Sequence, residues 1–177
     1  AISAHTWVAR RLALLSAESS SDLQLLSLLV TIGPGASPQL VEEAAADLGL
    51  SSGDGWREGL ARLVRDGFVI SDVNGISPSS RTVCDAVLER LNDSARRELH
   101  AAVASAITRT CRGLALAEGA HHAGQAGDAL GAASLAVRAA ERARRVGLED
   151  EAKALSHYAQ SIGATAQSPP TTPAPPP

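Results

Sequence analysis

Methionine is absent from the 177-residue chain, and aromatic side chains make up only 2% of it. A chain without methionine does not begin at a natural start codon, so a fragment or processed piece of a longer protein is expected. Without large rings to fill wide gaps, a core has to come from closely packed helices. Cysteine is nearly missing as well. Cys84 and Cys111 stand far apart with no CxxC pair, which argues against a disulfide framework or a zinc site and favours a reducing compartment. There is no long apolar run: the longest, residues 23–32, is broken by Gln24, Ser27 and Thr31 and is too short and mixed to span a bilayer. No secretory signal stands at the N-terminus, so a cytoplasmic protein with no membrane partner is expected. Lysine occurs once, at Lys153, and the other cationic side chains, histidine aside, are arginines. That bias fits a GC-rich genome. The formal net charge of -3 gives the whole molecule no strong pull on nucleic acid or anionic lipid.

What is abundant is Ala and Leu within a hydrophobic fraction of 45%, and both lead the helix propensity scale. A short helix is predicted from Thr6 to Leu15. The run Ser19-Ser20-Ser21-Asp22 resembles a capping box ahead of Leu25, Leu28, Leu29 and Ile32 at helical spacing. Gly33-Pro34-Gly35 stops that helix, and Ser37-Pro38 starts the next, with Leu40, Val41, Ala44, Ala45 and Leu48 on one face up to Gly49. After a loop in which Asp54 caps, a third helix turns Trp56, Leu60, Leu63 and Val64 inward and closes at Gly67. There the period changes: Phe68-Val69-Ile70 is a β-type run, Asn74-Gly75 a tight-turn signal, and Ile76 opens a return strand. Three helices and then a small hairpin is the order of a winged helix-turn-helix.

Past Pro78 helical periodicity returns. Val83, Val87, Leu88 and Leu91 form one stripe, and Leu99, Val103, Ala106 and Ile107 another, with Asn92-Asp93-Ser94 between them. From Leu114 the chain is Ala-rich and punctuated by Gly124, Gly127 and Gly147. Gly127, Ala132, Leu135 and Ala139 recur as Gly147, Ala152, Leu155 and Ala159, as in stacked helical hairpins. The predicted fold is therefore mainly α, a winged helix followed by an antiparallel helical-hairpin (TPR-like) array. Its divisions are 1–80 for the winged-helix unit with its leading helix, 81–167 for the repeats, and 168–177 for a Pro-rich linker or disordered tail.

No Gly-rich loop ends in Gly-Lys-Ser/Thr, so a phosphate-cradling nucleotide site of that kind is excluded within these residues. No cofactor or metal is expected. The adjacent His121 and His122 would point roughly 100° apart on a helix and do not chelate one ion; one is expected to pack at a helix crossing and the other to face water. His100 and His157 stand alone, and Cys84 reads as a small buried hydrophobe. In a DNA reader the helix of residues 54–66 would enter the major groove, with Arg57, Arg62 and Arg65 as its contacting residues. The charges there are nearly balanced by Glu58 and Asp66, and the hairpin offers Asp72 and Asn74 with no Arg or Lys before Arg81. Phosphate selects for positive charge, so DNA binding through these residues is not expected. One basic stripe remains, Arg138, Arg142 and Arg145 at i, i+4 and i+7, a possible docking surface for an acidic partner segment.

Three stretches resemble the large bacterial signal-transduction ATPases of the STAND class, among them the big LuxR-type and maltose-regulator-like transcription regulators. Residues 8–15 leading to 25–33 are similar to the entry into that family's winged helix. Residues 60–69, with Arg65-Asp66-Gly67-Phe68, resemble its helix-to-wing passage. Residues 86–100 and then 120–128, with His121-His122, resemble its bridge into tetratricopeptide-like repeats. The resemblance implies a non-catalytic regulatory module of a signal-transduction protein. The winged helix would pack on an ATPase module in the same parent chain, and the repeats would receive a protein or small-molecule effector. The family's His and following Arg-Glu pair after the wing are replaced by Ser79-Ser80 and Cys84-Asp85, so no nucleotide-sensing contact is carried over. The alternative is a stand-alone winged-helix DNA-binding transcription regulator with a helical dimerisation region.

Overall fold

A computed structural model describes residues 3–50, 55–110 and 115–167. The expected cap at Asp54, Cys111 and the Pro-rich stretch of residues 168–177 lie outside the described residues. The described residues are mainly helical with one small antiparallel sheet. In order, the elements are α1 (Ala4–Glu18), α2 (Ser20–Ile32), α3 (Pro38–Asp47), α4 (Gly55–Arg65), β1 (Val69–Asp72), β2 (Gly75–Pro78), α5 (Arg81–Leu88), α6 (Asp93–Thr110), α7 (Ala115–Ala126), α8 (Ala129–Arg145) and α9 (Glu149–Gln167). Among the described residues no helix is long and apolar enough to cross a membrane.

Hydroxyl and carboxylate side chains mark the helix starts. Ser3, Ser19, Ser37, Ser80 and Asp128 each accept a backbone N–H from the first turn of the helix they precede, which satisfies a donor that has no intrahelical partner. At Ser19 the capping box is only half formed. Ser19 Oγ accepts from Asp22 N at 3.2 Å, but the Ser19 N–H goes back to Leu15 O at 2.8 Å. The Asp22 carboxylate is thereby released for another partner. Pro34 and the glycines on either side end α2 as expected, with Gly33 at φ +95° and Gly35 at φ +78°.

Two cores form. The first gathers Leu12, Leu25, Leu26, Leu28, Leu29, Val41, Leu63, Phe68, Ile76, Val83 and Val87 from α1 to α5, and the inner face of α6 closes it with Leu99, Val103, Ala106 and Ile107. The second, across α6 to α9, is built largely from alanine: Ala104, Ala120, Ala123, Ala132, Ala136 and Ala139, with Leu116 and Leu135. Ala132 and Ala152, and Ala139 and Ala159, hold matching buried positions on α8 and α9. The glycines that precede these helices are both left-handed, Gly127 at φ +88° and Gly147 at φ +81°. Two expected core residues fall outside. Val64 is 38% exposed and Leu88 39% exposed, because α4 turns Trp56 and Leu63 inward and α5 ends at Leu88 before its stripe reaches Leu91. Leu60 is half-buried against the first core.

The hairpin pairs Val69 with Pro78 and Asp72 with Gly75. Sequence periodicity missed a third backbone partner. Ala36, in the α2–α3 connection, exchanges both backbone hydrogen bonds with Ile76 at 2.9 Å, and Gly35 N donates to Ser77 Oγ at 2.9 Å. This approach depends on Gly75. It sits at φ +112°, and a Cβ there would lie 2.8 Å from Gly35 C and O and 2.9 Å from Ala36 O. Gly49 is also left-handed at φ +72°, but a Cβ on it would meet nothing within 4 Å. Gly75→Ala is therefore expected to cost about 2–3 kcal/mol, and Gly49→Ala about 1 kcal/mol, as read from urea unfolding midpoints; equal costs at both positions would contradict the close-approach argument.

Candidate partner interface

The three arginines that would face DNA in a DNA reader are engaged with carboxylates, each differently. Arg62 forms a two-pronged pair with Asp22 across α2 and α4, Nε to Oδ2 at 2.7 Å and Nη2 to Oδ1 at 2.8 Å. The Asp22 side chain is only 4% exposed, against 40% for Arg62. The hydrogen bond to Asp22, working against desolvation, raises the guanidinium further above its ordinary range. Gly59 makes room for the pair, since a Cβ there would stand 2.9 Å from Asp22 Oδ1. Arg57 pairs with Glu42 at 3.1 Å and lies over the Trp56 ring. Arg65 is exposed beside Asp66 at 3.3 Å. At the hairpin tip Asp72 Oδ1 accepts from Asn74 N, and Val73 is fully exposed.

Arg109, which the sequence did not single out, ties the two halves together. Its guanidinium donates to Glu43 Oε2 at 2.9 Å and to both Asp47 oxygens at 3.0 Å, joining α6 to α3, and also reaches Ser105 one turn back. Hydrogen bonds to Asp47 and then Glu43 raise its pKa.

The α8 arginines are placed differently. Arg138, Arg142 and Arg145 are all exposed, and none has an ion pair or hydrogen bond to a described residue. Their neighbour Arg144 is held, donating to Ser156 Oγ at 2.7 Å and pinning α8 to α9. Arg138 lines a cleft of about 310 Å³ between α6, α7 and α8, together with Ala104, Ser105, Thr108, Ala123 and Leu135. The rest of the lining is mostly small residues with one carboxylate, Asp128, which caps the start of α8, and the basic stripe continues from Arg138 along α8. The surface suits an extended or helical segment carrying carboxylates, which guanidinium binds through paired N–H donors.

The histidines depart from expectation in one respect. His122 is buried and His121 exposed, as α7 geometry dictates. His100 does not stand alone: its Nδ1 is 2.7 Å from His122 Nδ1 across the α6–α7 crossing. A separation of twenty-two residues (His100 to His122) leaves no local pattern to announce the pair. One nitrogen must donate and the other accept, so at least one ring is neutral. Burial, then the His100 and His121 charges, push His122 down to about 4, and burial, then His121 and Arg96, lower His100. Cys84 is half-buried, and burial followed by the Asp85 charge raises its thiol pKa. Among the described residues no group of three His, Cys, Asp or Glu side chains is placed to hold a metal ion. Comparison with family models, curated proteins and solved structures returns no match for this chain.

Two outcomes follow from these contacts. Arg62→Gln leaves the Asp22 carboxylate buried without a counter-charge and is expected to destabilise by about 2–3 kcal/mol, the partial exposure of Arg62 softening the usual penalty; adding Asp22→Asn is expected to restore part of that loss, measured as a double-mutant cycle in urea. Because the folded-state pKa of His122 lies below its ordinary 6.5, the stabilisation is complete above pH 6.5 and drains away as pH falls toward 4. In His122→Gln that part of the acid loss is expected to vanish from thermal melts recorded between pH 7.5 and pH 4.

Proposed function

We propose that this chain is a non-catalytic regulatory module of a larger ATP-dependent signalling or transcription-regulator protein, and that it receives an acidic partner segment on the α6–α8 cleft and the α8 arginines. The observation that carries the proposal is the contrast between the two sets of arginine. Those of α4 are engaged with Asp22, Glu42 and Asp66, while Arg138, Arg142 and Arg145 stand exposed without partners among the described residues. A charge held in an ion pair has to be released before it reaches phosphate or peptide, whereas an unpaired one is ready for it.

The helix order α2, α3, α4 and the β1–β2 hairpin, with Ala36 joined to Ile76, supports reading residues 20–78 as a winged helix. The two antiparallel hairpins α6–α7 and α8–α9, with their matching glycine and alanine positions, support a TPR-like array. In this assignment the winged helix packs on an ATPase module of the same parent chain. Its balanced charge and exposed Val73 suit a protein surface better than a polyanion. Partner binding on the repeats then shifts the balance between two arrangements of the parent, to the extent that the partner prefers one of them.

Fluorescence anisotropy with a labelled Glu/Asp-rich peptide at low salt provides the test. Saturable binding is expected, with a loss of about tenfold or more in Arg138→Glu/Arg142→Glu/Arg145→Glu and unchanged far-UV circular dichroism. Equal peptide affinity in the triple variant would refute the proposal, as would sequence-specific DNA binding tighter than about 10⁻⁷ M by Arg57, Arg62 and Arg65.

A further inference from the structure

A second cluster of cationic groups lies near the start of α6, on residues separate from the α8 stripe. A polar cleft of about 290 Å³ opens where four helices meet, lined by Thr31 of α2, Leu88 of α5, Asp93, Arg96, Arg97 and His100 of α6, and Gln125 of α7, with Leu91 from the intervening turn. Its charged lining is two guanidinium groups against one carboxylate. Arg97 is exposed and has no ion pair or hydrogen bond to a described residue, nor has Gln125. Arg96 spends one N–H on Leu88 O at 2.7 Å, which fixes the direction of its fork and leaves its other donors open. The start of α6 is closed separately, since Asn92 Oδ1 accepts from Ala95 N at 2.9 Å.

We infer that this cleft is a binding site for a small oxyanion of the phosphate class, held by Arg96 and Arg97 with His100 and Gln125 as further donors. Guanidinium matches the oxygen geometry of phosphate, and both arginines line the cleft from adjacent positions on α6, Arg96 anchored through Leu88 O and Arg97 without a described partner. Asp93 is the one acidic group on the lining and opposes the anion. It sets a preference for ligands that leave its side of the cleft open. His100 is the indicator within the site. Burial first, then the His121 and Arg96 charges, disfavour its protonation, and a bound dianion opposes them. Because His100 Nδ1 meets His122 Nδ1, occupancy of the cleft is sensed at the α6–α7 crossing.

Titration of the whole chain with inorganic phosphate, followed by imidazole NMR of His100 at constant ionic strength set with chloride, tests the inference. A saturable shift is expected, together with a higher pH midpoint for His100 in phosphate than in chloride. Arg97→Gln, an exposed substitution, is expected to weaken the apparent affinity about tenfold, and Asp93→Asn to strengthen it severalfold. A non-saturating response equal to that of chloride would overturn the site, and so would Arg97→Gln and Asp93→Asn variants that match the parent. The α8 arginines do not enter this test: Arg138→Glu/Arg142→Glu/Arg145→Glu is expected to bind phosphate as the parent does, so the outcome is independent of the acidic-peptide result.

Discussion

Helix α6 belongs to both cores at once, and the arrangement of the chain depends on it. Leu99, Val103, Ala106 and Ile107 close the first core, while Ala104, on another side, enters the second. A helix buried on two sides cannot be amphipathic in the ordinary single-stripe manner, and its small residues let α7 approach closely on one side while longer ones fill the wider gap to α2 and α3. Arg109 fixes the register of this shared helix by spanning to Glu43 and Asp47 on α3. The two halves are therefore not beads on a linker. Loss of α6 packing would uncover leucine and valine on one side and the alanine floor on the other.

Within the first half the Asp22–Arg62 pair carries a different kind of information. Its Coulomb energy is offset by the cost of drying the carboxylate, so its net stabilisation is modest. What it does is specify geometry: two parallel hydrogen bonds at 2.7 and 2.8 Å tolerate little sliding of α4 over α2. Gly59 is part of the same specification, because any side chain there would displace the carboxylate. An arginine that reads on paper as a DNA contact is thus a strut inside the fold.

Local signals carried most of the secondary structure. Ser19, Ser37 and Asn74-Gly75 announced their elements because caps and turns are decided by a few neighbouring side chains. The β1–β2 hairpin appears where the hydrophobic period changes at Phe68. What escaped was non-local. Ala36 gives no hint in its own neighbourhood that Ile76, forty residues on (36 to 76), will take its backbone groups. The same holds for Asp22 with Arg62, Arg109 with Asp47, and His100 with His122. Of the candidate interface, the α8 stripe could be read from its spacing, whereas the freedom of those arginines required knowing what every acidic side chain was doing. Val64 and Leu88 were misassigned because helical spacing gives a face but not how far the neighbouring element covers it.

The scarcity of aromatic residues gives the molecule a spectroscopic division of labour. Trp56 is buried in the first core and Trp7 is half exposed on α1, whereas the only tyrosine, Tyr158, packs against the second core from α9. Tryptophan emission thus reports on the half that holds the hairpin, and the tyrosine signal belongs wholly to the α6–α9 hairpins. If α6 makes one cooperative unit of the two cores, the two chromophores fade together during unfolding. If the alanine core loosens first, tyrosine changes while Trp56 remains dry.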